Sequence, residues 1–403
     1  MGLPYNNIAF FIKRLQYFNH HILHLIETGN RERKYYVFHL ESIYAKEYTL
    51  PAHSSDNVFF IDINRLPNIK AFLVNNNIAL FVFPDPKNII DFLLLQICHD
   101  IGIKTIYSQH GFRINFNVFS ANRLFPKKRI FMVDKMIIKK YFMYYRIVLT
   151  NAIYLSHRPK FVADFIAKTF KLLINPAEEL SETLYLCDKA YVYGTYDKDI
   201  LMKYYGYKEE NIIVHGYPIF LKVNRFVQNT ETDFVLYISS GLRETGVLNI
   251  SFEEEIEFYR TLSFQVARTN NSLVVKLHPT ENLEHYVAHF KNDNRIKFYY
   301  DENLEILTNK AKIVIGDYST ALFYPILLYK PIIILTLDYM NEFPFDYSKY
   351  GIGVKTSLSN LSSVINLQST YQIDKSKYDK FIEYFIGYHD ENGQTKSFYE
   401  TMN

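Results

Sequence analysis

Two short polar motifs close apolar, strand-like runs in the second half of the chain. Lys276-Leu-His-Pro279 ends one run, and Asp317-Tyr-Ser-Thr320 ends the run that begins at Ile313. In an open α/β sheet, ligands bind at the carboxyl ends of parallel strands. The two motifs therefore predict one shared binding edge, whose histidine and hydroxyl groups suit the phosphates of a nucleotide.

Each motif brings a different kind of phosphate contact. The imidazole of His278 can donate to a phosphate oxygen and offset charge on a departing nucleotide, while Pro279 turns the chain out of the sheet. Ser319 and Thr320 stand before a helix predicted over 321–328, where hydroxyls meet free N–H groups and the positive end of the dipole. Alone, each also suits a strand-end histidine or an ordinary helix cap, but together they favour a nucleotide site. The predicted donor-binding residues are Lys276, His278, Pro279, Asp317, Ser319 and Thr320, joined by Arg243.

Arg243 and Glu244 lie in the polar stretch that follows a strand predicted from Phe234. Arg243 would pair with a donor carboxylate or phosphate, and Glu244 is a candidate base or nucleophile. A plain flexible loop is the alternative. Asp197-Lys-Asp199 has the spacing of a metal-binding pair, but acids are expected where a helix begins. We therefore expect no metal, and no cofactor besides a donor nucleotide.

His110 is the candidate base on the acceptor side. It follows a strand predicted at 104–108 and precedes Gly111, which allows a ligand to approach the backbone. A neutral imidazole there would remove the proton of an acceptor hydroxyl; a histidine that is hydrogen-bonded within a turn is the alternative. His110, Glu244 and His278 are thus the candidate catalytic residues.

Strand-like and helix-like segments alternate along most of the chain, which predicts an α/β fold of the GT-B type. In this interpretation two Rossmann-type domains, 1–220 on the acceptor side and 233–403 on the donor side, face each other across a cleft. The apolar segment 6–25 is interrupted by charged and polar residues, so an amphipathic helix is expected there rather than a membrane span. No signal peptide is visible, so a cytoplasmic location is expected.

The first domain carries an insertion, 123–171, which we call the basic segment. It holds twelve Lys and Arg residues against two Asp, a local charge of about +10, although the whole chain of 403 residues carries only +3. Aromatic and aliphatic residues are interleaved with the cations, which favours an anionic membrane surface, with the protein peripheral at the inner membrane. Nucleic acid is not expected, because no nucleic-acid module accompanies the charge. A merely solvated helical face is the alternative.

The spacing of the 276–279 and 316–320 motifs, with Tyr329-Lys-Pro-Ile332 behind them, resembles the glycerophosphotransferases that polymerise teichoic acid. It is also similar to GT-B transferases of capsule and lipopolysaccharide that use cytidine nucleotides, including polysialyltransferases and Kdo transferases. The resemblance covers about 185–400 and the Gln109-His-Gly111 turn, and implies that His278, Ser319 and Thr320 contact donor phosphates. Two features depart from those families: Gln109 stands where teichoic-acid enzymes have tryptophan, and the acidic turn of polysialyltransferases is missing.

The combined interpretation is a glycosyltransferase of bacterial capsule or lipopolysaccharide synthesis. It would transfer Kdo or sialic acid from a CMP donor to a glycan acceptor, either free or lipid-linked. The near alternative is a glycerol- or ribitol-phosphate transferase that uses a CDP donor. A nucleotide-sugar 2-epimerase is a further alternative, but such an enzyme should not need the basic segment. A noncatalytic glycan-binding subunit is another, and the paired motifs argue against it.

Overall fold

The computed structural model describes two compact units. Unit 1 contains the described residues up to Tyr217, and unit 2 contains those from 220 to 387. The described residues are 7–27, 29–45, 47–51, 56–84, 86, 88–109, 135–157, 159, 161–167, 186–217, 220, 223, 234–241, 243–244, 250–317, 319–337, 346–368 and 372–387.

Unit 1 is built on a sheet in which the described pairings are all parallel. Its strands are β1 (Asn7–Phe11), β2 (Tyr35–His39), β3 (Val58–Asp62), β4 (Ile78–Phe83), β5 (Lys104–Ser108), β6 (Lys189–Val192) and β7 (Ile212–Val214). Their order across the sheet is β3-β2-β1-β4-β5-β6-β7. Because the chain winds outward from β1 to one side and then from β4 to the other, this is a Rossmann-type sheet.

Short helices and one long helix accompany this sheet. They are α1 (Phe18–His21), α2 (Leu23–Glu27), α3 (Glu41–Tyr44), α4 (Ile69–Asn75), α5 (Ile89–Asp100), α6 (Lys135–Ala152) and α7 (Thr195–Tyr205), with 3-10 turns at Leu15–Tyr17, Ile63–Arg65 and Glu209–Asn211. Helix α5 begins with a capping box, in which the side chains of Asn88 and Asp91 each bond the other's backbone N–H. Among the described helices, none has the length and apolarity required to cross a bilayer.

The prediction of an amphipathic helix over 6–25 is wrong at its start. Asn7–Phe11 is strand β1, which pairs with β2 on one side and β4 on the other. Ile8, Ala9 and Phe10 are almost fully buried. A strand covered on both faces is apolar at every position, so its sequence has no period of two that would distinguish it from a helix. The sequence analysis also did not predict strands β2 and β3.

Unit 2 has a second sheet in which the described pairings are again parallel. Its strands are β8 (Phe234–Ile238), β9 (Ser272–Lys276), β10 (Ile296–Tyr299), β11 (Ile313–Gly316), β12 (Ile332–Leu335) and β13 (Val354–Thr356). The order is β10-β9-β8-β11-β12-β13. Two Rossmann-type sheets thus confirm the predicted α/β fold class.

Helices also accompany the sheet of unit 2. They are α8 (Phe252–Ala267), α9 (Leu283–Phe290), α10 (Leu304–Lys310), α11 (Phe323–Leu327), α12 (Leu361–Gln368) and α13 (Lys375–Ile386), with 3-10 turns at Thr320–Leu322, Tyr347–Tyr350 and Leu358–Asn360. The first turn of α8 is fixed by a capping box between Ser251 and Glu254. A core of aliphatic and aromatic side chains from β8, β9, β11 and α8 lies on one face of the sheet.

We predict that Phe10→Ala destabilises the protein by about 3–5 kcal/mol, because it removes a fully buried ring from a central strand. Phe142→Ala is the control, since 70% of the Phe142 side chain is exposed on α6. Urea denaturation of both variants measures the difference. Equal, small losses would contradict the placement of β1 in the core.

Candidate active site

Three strands of unit 2 end at the same level. Ile238 of β8 is in register with Lys276 of β9 and with Gly316 of β11. The residues that leave these strands therefore emerge side by side at the carboxyl edge of the sheet. This is also where the winding of the sheet reverses, between β8 and β11, which is the usual ligand crevice of such folds. The expectation that the two motifs meet at one edge is thus confirmed by the register.

A turn from Ser239 to Gly241 connects the two predicted motifs. The Ser240 hydroxyl donates to Asp317 Oδ2 at 2.6 Å, and both side chains are buried. Ser239 Oγ accepts the N–H of Gly241 at 3.1 Å and so tightens the turn. Asp317 therefore anchors the turn rather than projecting into solvent.

His278 is held by the residues that follow it. Thr280 donates its backbone N–H to His278 Nδ1 at 3.2 Å, and the Thr280 hydroxyl lies 2.7 Å from the same nitrogen. Because Nδ1 accepts, the neutral ring carries its proton on Nε2. Burial and then the charge of Lys276 lower the pKa of His278, while Glu244 opposes this shift. The imidazole is therefore neutral near pH 7 and presents one N–H donor at Nε2.

Gly241 allows the turn to approach His278 closely. Its φ is +62°, and a Cβ there would lie 3.0 Å from His278 Nδ1 and 2.9 Å from Thr280 Oγ1. Such a conformation favours glycine on its own, and the short distances leave no room for a methyl group. The turn after β8 and the histidine after β9 consequently fix each other's position.

Three carboxylates lie close together near His278, and of these the sequence analysis singled out only Glu244. Glu244, Glu255 and Glu281 have carboxylate oxygens within 4.8 Å of one another. Arg243 pairs with Glu244 and donates through Nε to Glu255 at 3.0 Å, and its guanidinium lies 5.2 Å from the centre of the Phe252 ring. In this structure Arg243 thus supplies positive charge to buried carboxylates, rather than offering a free guanidinium to a ligand.

Lys276 and Pro279 are tied to the end of β10. The Lys276 ammonium donates to the carbonyls of Leu277 at 3.1 Å and Tyr300 at 2.6 Å. The Tyr300 hydroxyl in turn donates to the Pro279 carbonyl at 2.8 Å. Burial lowers the pKa of Lys276, and Glu302, Asp301 and Glu281 oppose the shift. Lys276 therefore helps to hold the His278-Pro279 turn in place and adds a positive charge near it.

Ser319 and Thr320 begin a shorter helix than predicted. Ser319 Oγ accepts the N–H of Ala321 at 3.2 Å and caps a 3-10 turn, and α11 behind it ends at Leu327. Pro325 lies within α11 and has no N–H to donate to the turn before it. The dipole contribution expected from a long helix is correspondingly small, so the two hydroxyls are the groups available to a phosphate.

His110 lies outside the described residues, as do 123–134 and 168–171 of the basic segment. Its neighbour Gln109 is described and buried, and Gln109 Oε1 accepts the N–H of Tyr193 at 2.9 Å. Among the residues missed from sequence, Glu281 had a usable signal, because it comes three positions after His278 and closes a turn. Glu255 had none beyond its place in the first turn of α8.

The sequence comparisons place this site in a family. Residues 160–398, more than half of the chain, match the family described as CDP-Glycerol:Poly(glycerophosphate) glycerophosphotransferase. The chain belongs to this glycerophosphotransferase family. The match contains the turn after β8 and the two polar motifs, so the family resemblance inferred from them is confirmed.

Two known proteins are similar to this chain, one in sequence and one in fold. The minor teichoic acid biosynthesis protein GgaB of Bacillus subtilis (strain 168) is 24% identical over 223 residues, which are 49% of this chain and 24% of GgaB. The chain thus spans about a quarter of the length of this curated relative. The wall teichoic acid polymerase TagF has a similar fold, with a TM-score of 0.50 and 14% identity over 98% of this chain and 88% of that one. This likeness supports the GT-B-like fold of the glycerophosphotransferase family.

We predict that Gly241→Ala destabilises the protein more than Gly206→Ala. Both glycines have positive φ, at +62° and +74°, but a Cβ at Gly206 meets nothing within 4 Å. The backbone strain of about 1–2 kcal/mol is therefore shared, and the clash with His278 is specific to Gly241. Denaturant titration measures the stabilities, and equal losses would contradict the close approach.

Proposed function

We propose that this chain transfers glycerol phosphate from CDP-glycerol to a hydroxyl group of a growing teichoic-acid-type polymer. The observation that carries the proposal is the neutral His278, held with its Nε2–H after the carboxyl end of β9, beside the strand at which the unit 2 sheet reverses. A diphosphate bound there would receive that hydrogen bond together with those of Ser319 and Thr320. Membership of the glycerophosphotransferase family supports the choice of donor.

This proposal takes the second of the two donors weighed from the sequence. The preferred reading, Kdo or sialic acid from a CMP donor, finds no support in the family match, whose description specifies CDP-glycerol. Both donors share cytidine and a phosphate next to it, so the phosphate motifs alone do not separate them. Ribitol phosphate from a CDP donor is chemically close and serves as a comparison in the test.

The proposed reaction is a single displacement at phosphorus. The acceptor oxygen forms a bond to the phosphorus that carries glycerol, and the bond from that phosphorus to the bridging oxygen breaks. CMP leaves with the electron pair of that bond. A hydrogen bond from His278 Nε2 to the departing phosphate would stabilise the charge that develops on it.

The proton of the acceptor hydroxyl must go to a base. We assign this role to His110, because a neutral imidazole is a suitable base near neutral pH. Glu244, the other candidate, is already ion-paired with the Arg243 guanidinium. His110 therefore remains the preferred base within this proposal.

The protein should release CMP from CDP-glycerol in the presence of a glycerol-phosphate acceptor, and not from CMP-Kdo or CMP-sialic acid. His278→Ala should lower turnover about a hundredfold or more, because one donor to the developing charge is lost. His289→Ala is the matched control, since His289 is exposed on α9. Chromatography of released CMP is the measurement. Turnover of CMP-Kdo without turnover of CDP-glycerol would reject the proposed donor.

We further propose that the basic segment brings the enzyme to an anionic membrane surface that carries the acceptor. Helix α6 packs against α5 through buried Tyr144, Ile147 and Val148. Phe142 and Leu149 are 70% and 55% exposed on α6. Exposed apolar side chains within a cationic stretch of sequence suit the interface of an anionic bilayer.

Binding to anionic vesicles should weaken as salt rises, because each cation contributes about 1 kcal/mol near the surface and is screened by ions. Changing Lys127, Lys128, Arg129, Lys139 and Lys140 to Glu should abolish flotation with phosphatidylserine vesicles but preserve activity on a short soluble acceptor. The charge-matched control changes five exposed lysines elsewhere, namely Lys203, Lys208, Lys291, Lys297 and Lys380. Equal flotation of wild type and the first variant would show that the segment is a solvated face.

A further inference from the structure

Glu281 closes the turn that begins at His278. Glu281 Oε2 accepts the backbone N–H of His278 at 2.6 Å, and the backbone N–H of Glu281 donates to the His278 carbonyl at 3.0 Å. Both backbone polar groups of His278 therefore bond to one residue. The arrangement resembles a helix capping box, in which a side chain three positions later satisfies a backbone N–H.

Buried hydroxyl groups hold the other oxygen of the Glu281 carboxyl. Tyr286 lies 3.1 Å and Tyr259 lies 3.3 Å from Glu281 Oε1. The same Tyr286 hydroxyl lies 3.0 Å from Glu255 Oε2, which is in turn bonded to Arg243. The Glu281 side chain is therefore fixed at both oxygens within an aromatic and ionic network.

We propose that Glu281 is a positioning residue for His278, fixing the backbone of that histidine so that its imidazole keeps the Nε2–H tautomer at the sheet edge. The effect on turnover rests on the proposed function, but the effect on the imidazole does not. Glu281 does not contact the proposed donor in this account, because 4% of its surface is exposed and both its oxygens are engaged within the protein.

The contacts of the ring explain how a change at Glu281 reaches Nδ1. Thr280, which bonds Nδ1, lies between His278 and Glu281 in the same turn. Removing the carboxyl leaves the His278 N–H without its partner, and burial of an unpaired donor is costly enough to shift the backbone. Thr280 and the imidazole would then lose their alignment, and Nδ1 would compete with Nε2 for the proton.

Hydrogen counting supports a neutral form of this carboxyl. The single hydrogen of the Tyr286 hydroxyl cannot serve Glu255 and Glu281 at once, so a proton on Glu281 relieves the conflict. Burial raises the pKa of Glu281 to about 7, opposed by hydrogen bonds from His278, Ser239 and Tyr286 and reinforced by the charge of Glu255. A glutamine, with one acceptor oxygen and one NH₂ group, reproduces that neutral form.

The test compares Glu281→Ala with Glu281→Gln, and uses Glu284→Gln as the matched control because Glu284 is exposed in the first turn of α9, three positions further along the chain. Proteins labelled with ¹⁵N-histidine report the tautomer of each ring, and the His278 signals are assigned by their loss in His278→Ala. We expect one Nε2–H form in wild type, Glu281→Gln and Glu284→Gln, and a mixture of tautomers in Glu281→Ala. A single Nε2–H form in Glu281→Ala would overturn the proposal.

Turnover of CDP-glycerol gives the second readout. Glu281→Ala should lose about tenfold to a hundredfold, and Glu281→Gln should stay within about threefold of wild type. Wild-type turnover in Glu281→Ala would also overturn the positioning role. If wild type itself does not turn over CDP-glycerol, the proposed function fails, and the tautomer comparison alone decides this inference.

A folding defect is controlled by a second variant. Thermal unfolding is measured for each protein, and Glu281→Asp replaces Glu281→Ala if the latter does not fold. Aspartate keeps the carboxyl group but is one methylene too short to reach both the His278 N–H and the tyrosine hydroxyls. The same mixture of tautomers is expected, and a single Nε2–H form in Glu281→Asp would count against the proposal.

Discussion

The pairing of β8 with β11 is the constraint on which the rest of the candidate site depends. These strands are distant in sequence, and their parallel register places Ile238 beside Gly316. Ser240 and Asp317 then leave the sheet together and form a buried hydrogen bond of 2.6 Å. Without that register, the turn after β8 would not meet the motif after β11.

The same edge shows how rigid supports surround a small number of exposed donors. Asp317, Glu281 and Lys276 hold turns and backbone carbonyls in place, whereas Thr320 is exposed and Ser319 is partly so. Such support is what catalysis by fixed hydrogen-bond donors requires, because donors that are already oriented need not reorganise when charge develops. The close approach of Gly241 to His278 also helps to fix the position of that histidine.

Sequence reasoning located the polar groups of this edge but not the residues that hold them in place. His278, Ser319 and Thr320 were recognisable because they follow apolar runs at which strands were expected to end. Arg243 and Glu244 were expected to meet a ligand, yet Arg243 is bonded to Glu255, which lies twelve residues away on α8. No local sequence pattern predicts an ion pair between a loop residue and a helix residue. The two side chains meet only when the loop and the helix both pack on the sheet.

By itself, the sequence determined the alternation of strands and helices, the family-specific polar motifs and the places where β9 and β11 end. Those features are local, because apolar runs, proline and helix caps act over a few residues. The tertiary structure decided that Asn7–Phe11 is a central strand and that Glu255 on α8 pairs with Arg243. Both depend on burial by distant parts of the chain, and a short apolar segment or a lone glutamate carries no record of what will cover it.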